Sequence, residues 1–342
     1  MAKRLRVVVV GCGSISGAWL QPATADKDVD IVALVDLRRE AAIKRAADFG
    51  LTGAIVSTDD LADVLRQTTP DVVFNCTVPE AHLPVTLTAL RHGCHVFVEK
   101  PLAESMRNAR RMVAAATRAG KVLAVMQNRR AHPQIRALAR FLRQGRLGAL
   151  TAIECDFHIG AHFGGFRDHL RHVLLLDMAI HHFDMARLIT GADATAVYCH
   201  EWNPRGSWYD HDAAAVAIFE MTGGLVFTYC GSWCTEGLNT TWQGSWRIAG
   251  ERGSVTWDGG ENLRAQVRIG RTGFIRKCRD VAIPVPASTR PSGHAGMIAE
   301  WLHCLRTGRT PETIASDNIK SLAMVFGAIA SAQAGRRVPV RI

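Results

Sequence analysis

The sequence predicts an α/β chain: a doubly wound parallel sheet in its first part, then an α+β domain with a large open, mainly antiparallel sheet. Three observations carry this reading. Between Leu5 and Met126, strand-length apolar runs alternate with helix-length stretches, the pattern of successive βαβ units. After Gly148 the alternation stops, and short β-type runs follow one another between turn signals such as Gly223-Gly224 and Asp258-Gly259-Gly260. At 342 residues, 48% apolar and 21% charged, the chain holds enough apolar material for two ordinary cores.

Leu5 to Val10 is a near-continuous apolar run followed by Gly11-Cys12-Gly13-Ser14-Ile15-Ser16-Gly17 and a helical stretch to about Ala25. Gly11 permits a tight turn and Gly13 lets the backbone approach a pyrophosphate. The next helix turns its positive end and free N–H groups toward that anion. Ser16, at the third fingerprint position, is small enough for close helix–strand packing. The second strand, Ile31 to Val35, ends in Asp36. A carboxylate there accepts hydrogen bonds from ribose hydroxyls and repels a 2′-phosphate, which favours NAD; Arg38 keeps NADP open. Asp36 also suits the N-cap of a helix from Leu37 to Phe49.

The pattern repeats: a helix at Leu61–Gln67, a strand at Asp71–Cys76, a helix at Glu80–His92 ended by Gly93, a strand at His95–Glu99, a helix at Glu104–Ala119 closed by Gly120, and a strand at Val122–Met126. About six parallel strands are expected. The fourth of these segments carries the chemistry. Its apolar run ends in Glu99-Lys100-Pro101, where Pro101 cannot donate a ladder hydrogen bond and biases Lys100 toward an extended backbone. Ligands of open parallel sheets bind at strand carboxyl ends, so Lys100 is a candidate reactive group. The plainer alternative is a lysine reaching water with Glu99 as its ion-pair partner.

In the second half, Pro133 to Gln144 reads as a helix. Ala149–His158, Thr195–Glu201, Ala213–Phe219, Leu225–Tyr229, Trp242–Ala249 and Ser254–Trp257 read as strands, and His294–Thr307 and Ala315–Ala334 as closing helices. Six of the eight tryptophans fall between 202 and 257, which suits an exposed sheet face serving as a protein interface or substrate wall. Self-association through that sheet, as a homodimer or homotetramer, is expected. One helix interrupts the β region, and on it Asp177, His181 and Asp184 are spaced i, i+4 and i+7 on one face. A carboxylate one turn before an imidazole fixes its tautomer and raises its basicity. Metal binding by Asp177, His181 and His182 is disfavoured, since adjacent histidines diverge round a helix and H-x-x-x-H is absent.

The nine cysteines include no CxxC pair. Cys230 and Cys234 lack a matching His/Cys set, so no metal is expected and the thiols read as reduced, in a cytoplasmic protein. No apolar run reaches the roughly 18 residues of a membrane helix, and the apolar run ending at Val10 is too short for a signal core. The net charge of +10 comes from scattered arginines without a basic block. It suits anionic ligands more than nucleic acid.

Together, Gly11-x-Gly13, Asp36, Thr77-Val78-Pro79 with His82, Glu99-Lys100-Pro101 and Asp177-x-x-x-His181-x-x-Asp184 resemble, in order and spacing, the Gfo/Idh/MocA oxidoreductases, the group of glucose–fructose oxidoreductase and inositol 2-dehydrogenase. The resemblance implies a Rossmann dinucleotide-binding domain over 1–128 and a substrate-binding and oligomerisation domain over 129–342, whose last helices pack back on the first. It implies NAD(P)-dependent hydride transfer to or from a secondary hydroxyl of a sugar, cyclitol or derivative. By position, Lys100, His181 and Asp177 are catalytic. Gly11, Gly13, Ser14, Ile15, Asp36, Leu37, Arg38, Thr77, Val78, Pro79, His82, Glu99, Lys100 and Asn128 bind NAD, with NADP as the alternative. Arg130, His158, Arg167, Asp177 and His181 are the candidate substrate contacts. The Lys100–Pro101 bond is often cis in such proteins. Two departures stand out: Arg171-His172-Val173 and Ala179 occupy places where relatives often carry glycine. With Arg167 and His169, the extra cations suggest either an anionic substrate such as a sugar acid or a solvated loop. Rival readings are a redox-neutral enzyme holding NAD tightly and a non-catalytic NAD-binding regulator, although a regulator would be expected to lose the lysine or the histidine.

Overall fold

Val7, Val8 and Val9 are wholly removed from solvent, as befits a strand covered on both faces. They belong to β1 (Leu5–Val10) of a computed structural model that describes residues 4–58, 60–286 and 291–342. Residues 1–3, part of the short N-terminal run read above, lie outside the described residues. The first stretch continues through α1 (Ser14–Ala25), β2 (Val29–Val35), α2 (Arg39–Asp48), β3 (Ile55–Ser57), α3 (Leu61–Thr68), β4 (Val72–Asn75), α4 (Pro79–Arg91), β5 (His95–Val98), α5 (Met106–Ala119) and β6 (Leu123–Val125). All pairs in this sheet are parallel, in the order β3-β2-β1-β4-β5-β6. The order reverses between β1 and β4, and the crevice at such a switch point is where open α/β sheets bind ligands. The sequence reading missed β3, whose three residues are too few to show a period. It also began α2 too early. The first turn starts at Arg39, and Asp36 is not its N-cap.

The chain divides into two compact units, one comprising the chain up to Ala131 with the segment that ends at Ile319, the other starting at His132 and resuming at Lys320. The second contains α6 (Pro133–Arg143), β7 (Leu150–His158), a π-helical turn at Leu174–Ala179 leading into α7 (Ile180–Thr190), then β8 (Ala194–Trp202), β9 (Ala214–Met221), β10 (Val226–Ser232), β11 (Ser245–Gly250), β12 (Gly253–Trp257), β13 (Leu263–Arg268) and β14 (Cys278–Val281). The chain then forms α8 (Gly293–Thr307), which belongs to the first unit, α9 (Ala315–Ala334) and β15 (Val338–Pro339). The nine-stranded sheet runs β14-β13-β12-β11-β7-β10-β9-β8-β15 and is antiparallel except for the β7–β10 pair. β13, β14 and β15 were not anticipated; β14 and β15 are the short edge strands of the sheet, and β13, next to β14, alternates apolar with polar residues over only six positions.

Aromatic packing centres each core. In the first unit Trp19 of α1, Phe74 of β4, Phe97 of β5 and Trp301 of α8 form a ring cluster with centroids 4.6–5.8 Å apart. In the second, Phe183 of α7 packs edge-on against Phe219, Phe227 and Tyr229. The tryptophan expectation needs correcting. Trp233, Trp246 and Trp257 are buried, while Trp202 shares the open sheet face with Tyr198, Val216, Ile218 and Val226. No described helix is long and apolar enough to cross a membrane.

Candidate active site

The glycine turn after β1 is built for close approach. Gly11 has φ +87°, and a Cβ there would lie 2.7 Å from the Cys76 carbonyl oxygen. At Gly13 an added Cβ would meet nothing within 4 Å. The open space lies at the N-terminus of α1, which has no side-chain cap and no acidic residue in its first turn. Uncapped amides beside open space fit an anion such as a pyrophosphate. Asp36 holds the turn: its carboxylate accepts the Cys12 N–H at 2.7 Å and the Arg38 N–H at 2.8 Å. Each oxygen keeps a second lone pair for a ribose hydroxyl. Burial, with Asp36 beside it, pushes the Cys12 thiol up to about 12, so the turn offers backbone and no thiolate. Ser14, Arg38, Lys44 and Arg45 line the adjoining pocket, where Arg45 donates to the Gly13 carbonyl at 2.9 Å. Ile15 is 38%, Leu37 96% and Val78 62% exposed, apolar surface of the kind a flat base would cover. These residues fit a dinucleotide.

Lys100 follows β5 and precedes a cis peptide bond to Pro101. Behind it lies a buried brace. Glu99, 6% exposed, accepts the Trp19 indole N–H at 2.6 Å, His294 Nε2–H at 3.1 Å and the Lys100 backbone N–H at 3.0 Å. Burial opposes its charge, but His294, Trp19 and the Lys100 ammonium outweigh it, and the carboxyl sits below its ordinary range. His294 Nδ1 lies 3.4 Å from the Asn128 amide nitrogen, so Asn128 is tied into the same chain of contacts. His82 spans two carbonyls, Pro101 O at 2.9 Å and Thr77 O at 3.0 Å. Burial keeps its pKa low despite those contacts. Asn75 accepts the Thr77 hydroxyl at 2.6 Å and fixes the turn from below.

Three expected ligand contacts are therefore corrected. His82 and Glu99 are buried supports of the Thr77–Pro79 turn and of Lys100, not lining groups. Arg130, 4% exposed, donates to the Glu312 carbonyl at 3.2 Å inside the first unit. His294 escaped the sequence reading because its place beside Glu99 is set 195 residues away.

In the second unit, Asp177 sits in the π-helical turn and His181, 7% exposed, in the first turn of α7. Such turns recur at functional sites. Arg167 clasps Asp177 through Nε at 3.0 Å and Nη2 at 3.5 Å, and its guanidinium lies over Phe163 and Phe166. Asp184 does not share this setting; it is buried and accepts the Ser321 hydroxyl of α9 at 2.7 Å. His182 is wholly buried against Phe157 and Tyr229. His158 is also corrected. Phe157 faces α7, so by strand alternation His158 faces the opposite side of the sheet from His181.

Three of the four extra cations have a carboxylate partner within the chain, with the His169–Asp210 pair at the surface. Arg167 meets Asp177, His169 Nδ1 lies 2.6 Å from Asp210, and His172 Nδ1 lies 2.7 Å from Glu201. His172 has φ +57°, the conformation a glycine would take without strain. The Glu201 hydrogen bond raises its pKa against burial, with Asp212 adding to the rise and Arg171 opposing it. The native state thus holds this proton more tightly than the unfolded chain does. The stabilisation is complete below about pH 6.5, the ordinary histidine value, and is lost as pH rises through the native pKa. Thermal unfolding should show the wild-type midpoint falling from pH 6 to pH 8 more steeply than that of Glu201→Gln. Equal slopes would remove the ion pair from the account.

A switch-point glycine turn, an acidic residue after β2 and a lysine at the end of β5 define an NAD(P)-dependent oxidoreductase. The model for the oxidoreductase family with an NAD-binding Rossmann fold matches residues 5–127, and that for the GFO/IDH/MocA C-terminal domain matches residues 135–256. This chain belongs to the Gfo/Idh/MocA family. It is 26% identical to D-apiose dehydrogenase of Paraburkholderia graminis over 99% of this chain and 90% of that one. It is 24% identical to 1,5-anhydro-D-fructose reductase of Ensifer adhaerens, over 97% of each. An Agrobacterium radiobacter oxidoreductase, solved with NAD+, L-tartaric acid and magnesium, shares the fold with a TM-score of 0.84 at 22% identity, covering 99% of both chains.

Proposed function

We propose that this protein interconverts a secondary hydroxyl and a carbonyl on a sugar, cyclitol or close derivative, with NAD as coenzyme. The observation that carries the proposal is the placement of a half-buried lysine at the carboxyl end of β5, in a sheet whose switch-point turn fits a dinucleotide. The relatives named for apiose and anhydrofructose chemistry support the substrate class. The bound nicotinamide supplies the hydride acceptor or donor. His181 takes the hydroxyl proton at an imidazole nitrogen during oxidation and returns it during reduction. Lys100 Nζ stabilises the negative charge that develops on the reacting oxygen. Asp177, its charge balanced by Arg167, orients the substrate and the imidazole. The exposed row Tyr198, Trp202, Val216, Ile218 and Val226 supports self-association through the open sheet, which the mass of the protein in solution tests.

The test is to add a panel of sugars, cyclitols and sugar acids with NAD or NADP and follow the reduced-nicotinamide absorbance. Growth of that band with a neutral polyol and NAD is expected. The Asp36 carboxylate disfavours a 2′-phosphate, while Arg38 and Lys44 at the pocket rim favour one. Faster turnover with NADP would show that the cations win. A coenzyme that copurifies and cycles without net reduction would point to the redox-neutral reading, and failure to bind either nucleotide would end the proposal.

A further inference from the structure

Two strands bring three different metal-ligating side chains together on the open face of the nine-stranded sheet. Asp156 and His158 alternate onto that face from β7, and Cys230 of β10 lies directly across from Asp156 in the parallel pair. One ligand atom from each lies within 4.8 Å of the other two. Cys230 Sγ is 3.9 Å from His158 Nε2, a poor hydrogen bond. It is close to what a metal needs: zinc–sulfur and zinc–nitrogen bonds of about 2.3 and 2.0 Å place tetrahedral ligands about 3.5 Å apart.

The imidazole is already aimed. His158 Nδ1 is 3.1 Å from the Thr235 hydroxyl. With Nδ1–H donating there, Nε2 presents its lone pair toward the thiol, which is the tautomer and outer support metal-bound histidines use. The strand end is pinned too: His158 N–H donates to Thr240 Oγ1 at 3.1 Å, and Thr240 N–H donates to His158 O at 2.9 Å. In the single chain Asp156 is exposed and the other two are half-buried, and Cys230 lies beside Val216 of the proposed self-association face, so an ion enters before that face is covered.

We propose that Asp156, His158 and Cys230 form a binding site for a divalent transition-metal ion of the zinc type, separate from the hydride chemistry, with the fourth position left to water. Magnesium and calcium prefer all-oxygen sets, whereas thiolate with imidazole selects zinc. Bound there, the ion ties the carboxyl end of β7 to β10. The expectation that Cys230 lacks a histidine partner came from looking nearby in sequence, while His158 lies 72 positions away.

The test uses the full chain, stripped with a chelator and titrated with Co2+. One ion per chain is expected, with a thiolate-to-cobalt charge-transfer band in the near ultraviolet that Zn2+ abolishes. Cys230→Ser should lose the band. His158→Gln should keep a thiolate signal but weaken binding by at least about tenfold, and Thr235→Val, which leaves all three ligands, should weaken it by about tenfold. Cys278→Ser, removing the exposed thiol, should change nothing. Each variant's metal-free thermal midpoint checks that it folds. No saturable band, or a band that survives Cys230→Ser, overturns the site.

Discussion

Gly11→Ala is expected to cost roughly 2–5 kcal/mol of stability and to abolish tight nucleotide binding. A non-glycine residue in the left-handed region costs roughly 1–2 kcal/mol. The new Cβ would also press on the backbone of Cys76 and Thr77 at 2.7–2.8 Å, and such overpacking adds roughly 1–3 kcal/mol. Neither neighbour is a flexible side-chain tip, so β1 and β4 must separate where the nucleotide turn begins. Gly13→Ala is the contrast. Gly13 has φ −67° and ψ −173°, open to any residue, and its Cβ would enter empty space. Its stability should stay within about 0.5 kcal/mol of wild type, while NAD binding weakens because the methyl occupies the space proposed for the pyrophosphate. Urea unfolding and nucleotide titration of both variants decide this. Full NAD affinity in Gly13→Ala would mean the pyrophosphate lies elsewhere.

Lys100→Met should lower kcat by at least about 10²-fold, the usual contribution of a positioned proton-transfer or charge-stabilising group. Methionine keeps most of the length and leaves Glu99 its bonds to Trp19, His294 and the residue-100 backbone N–H. NAD affinity and unfolding midpoint should therefore change little, which separates loss of chemistry from loss of fold. Measuring kcat, KM and the coenzyme Kd side by side tests this. A variant that turns over at wild-type rate would remove Lys100 from the reaction.

What could be read in advance follows from physical locality. β1, β4 and β5 were legible because strands buried on both faces are apolar throughout, and the glycine turn because a tight turn and a close approach each restrict the residue. β3 has three residues and no period, and the π-helical turn at Leu174–Ala179 leaves no composition signal. Lys100 stood out through Pro101. The roles of its neighbours did not, because whether Glu99 and His82 face a ligand or a brace depends on Trp19, His294 and the Pro101 carbonyl. In the cation-rich stretch the charges were visible, but the pairing of Arg167, His169 and His172 with Asp177, Asp210 and Glu201 is set by the fold.

The discontinuous first unit has a consequence for synthesis on the ribosome. Trp19, Phe74 and Phe97 share their core with Met297, Ile298, Trp301 and Leu302 of α8, and Glu99 waits for His294. The first 131 residues emerge with this core and the lysine's support unfinished. Translation at about 5–20 residues per second delays the missing helix by roughly 10–30 s. During that interval Trp19, Phe74 and Phe97 lack the α8 side chains that complete their core, and a nucleotide bound at the glycine turn would brace the ends of β1 and β4 before α8 arrives.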